Sequence, residues 1–92
     1  MAGLRSTYPY QQWQKRVLRD SNGICQLCYR AVDMTLSGMH KWGPVADHIV
    51  EVCEGGPMFD PRNGQLAHRW CNEEKERRRR ARRKQLNPSR RW

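Results

Sequence analysis

The 92-residue chain carries 18 Lys and Arg against nine Asp and Glu, a formal net charge of +9, which predicts an acidic partner, nucleic acid foremost. A chain of this length buries only about 60 to 65% of the surface its unfolded form exposes, which excludes a second folded unit. With 37% hydrophobic residues and a single Phe, the core is expected to need a disulfide or a metal as a staple.

No apolar run reaches the roughly 18 residues of a membrane span, and Met1 to Tyr10 lacks the apolar core of a signal peptide. The expectation is an intracellular protein, neither membrane-bound nor secreted. In that compartment thiols stay reduced, so the four cysteines are expected as metal ligands or buried apolar groups rather than disulfide partners.

Thr7 and Pro9 mark a helix start, and Tyr10 to Asp20 places Trp13, Val17 and Leu18 on a narrow apolar face. Ser21-Asn22-Gly23 stops it, Cys25-x-x-Cys28 follows, and Asp33 to Pro44 has no regular pattern. Val45 to Val52 has the β-branched content of a strand, closed by Gly55-Gly56-Pro57. After a turn at Asp60 to Gly64, Gln65 to Ala67 predicts a second short strand. Cys71 to Lys84 contains no Gly or Pro and predicts a helix, ended by Asn87-Pro88 before the tail Ser89 to Trp92. Trp13 and Trp70 are expected in the core, Cys53 as buried packing, His40 as a loop residue, and Trp92 as a mobile terminus.

Two pairs of soft ligands stand at zinc spacing: Cys25-x-x-Cys28, and His68-x-x-Cys71 just before the basic helix. Four such groups would close the coordination sphere, so the ion's role would be structural. The other reading makes Cys25 and Cys28 small buried apolar residues and His68 a surface group.

Asp47-His48 ends the first strand, where neighbouring side chains point to opposite faces and can take different tasks. His48 can act as a base toward water, Asp47 can offer a hard oxygen to Mg²⁺, and Asn72 an amide oxygen. On residue type alone the Asp-His pair is common and Asn72 could simply cap the following helix.

In order, Cys25-x-x-Cys28, Ala46-Asp47-His48-Ile49-Val50, Gly55-Gly56, Asp60 to Asn63, Leu66 and His68-x-x-Cys71-Asn72-x-x-Lys75 resemble the HNH endonuclease family. The likeness is to its small zinc-stabilised phage and bacterial members and covers residues 25 to 75. The resemblance implies an α+β, ββα-metal (His-Me finger) domain with a zinc knuckle and flanking helices. It implies Asp47 and Asn72 as ligands of a catalytic divalent ion (Mg²⁺, Mn²⁺ or Ni²⁺), His48 as general base, and Asn63 as the central Asn ordering the loop. Asn72 stands where the family often has His, and His68 where it more often has Cys. A phage origin, a DNA-packaging terminase or another targeting protein as partner, and a monomer or weak dimer are compatible with the family's habits.

Eight of the twelve residues from Glu73 to Lys84 are basic. Arg77, Arg78, Arg79 and Arg80 surround a helix, so some must face away from any one duplex. Lys75, Arg77, Arg78, Arg79, Arg80, Arg82, Arg83 and Lys84 are the expected phosphate contacts. The rival functions are a non-catalytic zinc-stabilised nucleic-acid-binding module and an interaction protein whose basic helix meets an acidic protein surface.

Overall fold

A computed structural model describes residues 8–85; Thr7, Asn87-Pro88 and the tail Ser89 to Trp92 lie outside the described residues. The chain forms a small α+β arrangement of two helices and one two-stranded sheet.

Helix α1 (Tyr8–Arg19) has Pro9 in its first turn, where a missing N–H costs nothing. Tyr10, Trp13 and Val17 are buried at helical spacing. The helix stops where the Ser21 hydroxyl donates to the Leu18 carbonyl. The chain then doubles back in a knuckle bridged between Ile24 and Ala31, with Tyr29 at φ 63 turning its corner.

Strand β1 (Pro44–His48) pairs antiparallel with β2 (Gly64–His68). Helix α2 (Arg69–Gln85) follows β2 directly. The pleat sends alternate β1 side chains to different partners. Ala46 joins Tyr10, Trp13 and Val17 of α1 in one buried cluster, and His48 stacks on Trp13. Asp47, between them, meets Lys75 of α2. A second cluster of Cys25, Val32, Leu66, Ala67 and Cys71 joins the knuckle to β2 and α2. Among the described residues Trp13, Leu66, Ala67 and Cys25 are the most enclosed apolar groups, each at most 2% exposed, so little apolar burial holds the two clusters together.

Four expectations are corrected. The first strand ends at His48 rather than Val52: the Ile49 amide still bonds in register to the Asn63 carbonyl, but the Asn63 amide turns back to the Asp60 carbonyl and the Val50 amide takes the Asn63 side chain, so the ladder stops. The second helix starts at Arg69 rather than Cys71. Cys53 is exposed, lifted outward by the 3₁₀ turn Val52–Glu54. Trp70 is 40% exposed rather than core, whereas Trp13 is 2% exposed. One residue on a helix turns the side chain by about 100°, and it is Cys71 that points inward.

The loop after β1 is tightly folded. Asn63 Nδ2 donates to the carbonyls of Val50 (3.0 Å) and Pro57 (2.9 Å), and its Oδ1 accepts from Val50 N–H at 2.8 Å. Gly55 caps the 3₁₀ turn at φ 97, and a Cβ on Gly56 would lie 2.0 Å from the Val50 carbonyl oxygen. Gly56→Ala is therefore expected to force that backbone apart, at a cost of about 2 to 3 kcal/mol measured by urea unfolding. Wild-type stability in this variant would show that the loop yields.

Among the described residues no helix is long and apolar enough to cross a membrane.

Candidate functional site

Cys25, Cys28, His68 and Cys71 converge although the two pairs are 40 residues apart in the chain. Their ligand atoms all lie within 4.8 Å of one another. His68 Nδ1 is 3.4 Å from Cys28 Sγ and 3.7 Å from Cys71 Sγ. Tetrahedral zinc bonds would set neighbouring ligand atoms about 3.6 to 3.8 Å apart. His68 Nε2–H donates to the Ala31 carbonyl at 3.2 Å, which fixes the tautomer and turns the Nδ1 lone pair toward the sulfurs.

The amides of Leu27 and His68 donate to Cys25 Sγ. Burial pushes the Cys25 thiol up, but these amides and that of Cys28 outweigh it and bring it down to about 6. Burial, with Cys28 and Cys25 alongside, pushes Cys71 up to about 12. Three crowded sulfurs thus oppose full ionisation of the set, an opposition that a bound cation relieves. The four residues could hold a structural metal ion such as zinc, and all four cysteines are free of disulfides.

A second group of polar residues lines a cleft of about 610 Å³ between β1 and α2, including Asp47, His48, Glu51 and Asn72. Asp47 and His48 are each only 5% exposed. The His48 ring stacks on Trp13 with centroids 4.2 Å apart and planes 10° apart. Its Nε2–H donates to the Met58 carbonyl at 2.9 Å. A carbonyl can only accept, so the neutral ring carries its proton on Nε2 and its lone pair on Nδ1.

Asp47 Oδ2 accepts from Gln65 Nε2, its cross-strand partner, and from Lys75 Nζ, each at 2.8 Å. Lys75 also donates to the His48 carbonyl at 2.9 Å and pairs with Glu51 at 3.1 Å. Burial disfavours its charge, but Asp47 and Glu51 more than compensate and raise its pKa above the usual lysine range. Lys75 is therefore directed into the site. Asn63 is directed into the loop it braces and does not line the cleft.

The basic residues of α2 divide into three directions. Arg77 and Arg80 line the Asp47–His48 cleft, Arg79 and Arg83 reach Cys53 Sγ, and Arg78 and Arg82 flank a groove beside the knuckle. Arg77 and Arg78 pair with Glu74, and Arg79 and Arg80 with Glu76. Lys84 is exposed.

Sequence reasoning did not find Gln65, Glu51 or the Met58 carbonyl as parts of this site. The strand register could have indicated Gln65, directly opposite Asp47; nothing in the sequence marks the other two.

No protein-family model, curated protein or solved structure matches this chain.

Proposed function

We propose that the chain is a divalent-metal-dependent DNA endonuclease of the HNH type. In this reading β1, β2 and α2 form a ββα-metal unit, and zinc at Cys25, Cys28, His68 and Cys71 braces it. The observation that carries the reading is the setting of His48. Trp13 and the Met58 carbonyl fix its ring with Nδ1 as the basic nitrogen, in a cleft shared with Asp47 and Asn72.

The oxygen donors of that cleft suit a hard cation, which usually takes one or two carboxylates and keeps several waters. Asp47 and Asn72 would hold Mg²⁺, Mn²⁺ or Ni²⁺, and such an ion supplies charge stabilisation at the phosphorus and at the departing oxygen. His48 Nδ1 takes a proton from water as its oxygen bonds to phosphorus. The P–O3′ bond then breaks, leaving a 5′-phosphate and, once O3′ is protonated, a 3′-hydroxyl. Gln65 keeps the Asp47 carboxylate oriented, while Arg77 and Arg80 offer cations to flanking phosphates. One such site cuts one strand; double-strand cutting needs a dimer or a second encounter, and targeting to DNA would come from a partner such as a phage terminase.

One observation favours a second reading, a non-catalytic zinc-stabilised nucleic-acid-binding module: the Lys75 ammonium already lies on Asp47. Plasmid relaxation separates the two. The native protein is expected to nick supercoiled DNA with Mg²⁺, Mn²⁺ or Ni²⁺ but not with EDTA. His48→Ala and the better-filling His48→Gln, each shown to retain zinc and a cooperative unfolding transition, are expected to lose nicking at least 100-fold. Binding without cutting under every metal would establish the module instead.

A further inference from the structure

Trp70 lies across α2 from the His48 cleft. With Cys71, Glu74, Arg78, Arg82 and the knuckle residue Leu27 it bounds a groove of about 370 Å³. Trp70, Glu74, Arg78 and Arg82 follow one another at four-residue steps, so each rises about 6 Å along one helical flank. Trp42 stands beside Trp70, ring centroids 5.6 Å apart at 40°, and Lys41 Nζ lies 5.3 Å from the Trp42 ring centroid. Trp42 is 43% exposed and Trp70 40%.

These two indoles differ from core tryptophan in this same chain. Trp13 is 2% exposed and its N–H is satisfied by the Asp60 carbonyl. Trp42 does meet His68 edge-on, which accounts for one edge as cover for that ligand, and Lys41 stands over its ring; Trp70 lines the groove and keeps 40% of its surface exposed. Aromatic faces flanked by cations favour a ligand that has both a π-surface and negative charge. Glu74 does not spoil the groove for an anion, because Arg77 pairs with it from the neighbouring flank. Arg78 keeps a 76% exposed side chain, so its pairing with Glu74 is weak and exchangeable. Arg82 has no ion-pair partner among the described residues. The groove is the size of a small-ligand site, which suits a single nucleotide unit; a paired base hides the face that would stack.

We infer that this flank is a second nucleic-acid surface, specific for an unpaired strand: a splayed base stacks on Trp70 beside Trp42, and its phosphates lie against Arg78 and Arg82. It is distinct from the Arg77–Arg80 flank that faces the cleft. The inference does not rest on cleavage, since binding is read on the zinc-loaded full chain with no divalent cation added.

The test is fluorescence anisotropy of labelled oligo(dT). Trp70→Leu is expected to weaken binding about 5- to 100-fold, the loss of one stacked base, with Trp70→Phe restoring most of it. Arg82→Gln is expected to flatten the slope of log affinity against log salt by about 0.7. Oligo(dT) is also expected to quench the tryptophan emission of the native chain. Unchanged affinity in a zinc-retaining Trp70→Leu protein overturns the proposal. Should that variant lose zinc, an unaltered salt slope in Arg82→Gln or the absence of quenching overturns it. Preference of the native chain for polyglutamate over oligo(dT) also overturns it, and makes the flank a site for an acidic protein.

Discussion

Stripping the metal from the Cys25, Cys28, His68 and Cys71 cluster, or replacing Cys25 by Ser, is expected to abolish the cooperative unfolding transition altogether. The cluster is the junction of the knuckle, the end of β2 and the first turn of α2, and the apolar cluster around it contains only five buried residues. Structural zinc contributes roughly 10 to 16 kcal/mol in small domains, as much as the whole stability of a typical protein at about 5 to 15 kcal/mol. One bound zinc per chain, measured by atomic emission, should accompany native helix content by circular dichroism. A strong chelator should remove both together, and acid should too, because protons compete for the thiolates. A chelated chain that still melts cooperatively at its original temperature would show that the apolar clusters suffice alone.

Lys75→Met is expected to act in opposite directions on stability and on metal binding. The lysine holds two carboxylates whose side chains are 5% and 17% exposed, Asp47 and Glu51, and is itself 26% exposed. Removing one partner of a mostly buried ionic group leaves charge uncompensated, at a cost of about 3 kcal/mol. For a domain of this size that lowers the melting temperature by about 12 to 24 °C. The same substitution takes a positive charge away from the oxygens that the nuclease reading gives to a divalent cation. Mn²⁺ should therefore bind the variant more tightly, seen by electron paramagnetic resonance, and should raise its melting temperature more than that of the native chain. Equal stability would show that Lys75 does not anchor the pair, and weaker Mn²⁺ binding that it does not compete with a cation there.

The parts of this molecule that could be read in advance are those in which local chemistry repeats at a fixed spacing. Trp13 and Val17 announce the buried face of α1 because a helix returns every 3.6 residues. The two ligand pairs announce their cluster because both halves of a small tetrahedral site need the same two-residue reach. What stayed hidden depends on contacts distant in sequence. Val45 to Val52 looks like one strand by composition, and it is Asn63, brought alongside by the returning chain, that ends it by turning its own amide back to Asp60 and taking the Val50 amide on its side chain. Trp70 has core chemistry, but its neighbour Cys71 takes the inward direction. The inward course of Lys75 is invisible in a run of basic residues, since it is set by two carboxylates on another element.

The connection between the strands has a consequence for how this chain can vary. A slip of one residue in a hairpin exchanges the faces of every side chain, and here it would send Asp47 toward Trp13 and His48 toward Lys75. A tight turn usually guards against that, yet these strands are joined by a long excursion. Register is kept instead by the Asp47–Gln65 pair and by Asn63 clasping the excursion near both ends. The stretch between Pro57 and Asp60 lies outside the Asn63 clasp but is held to the site, because the Met58 carbonyl accepts from His48 and the Asp60 carbonyl from Trp13. Insertions there should keep each strand residue on its face while loosening the His48 ring from its carbonyl partner, whereas one residue added within β1 would transpose the faces.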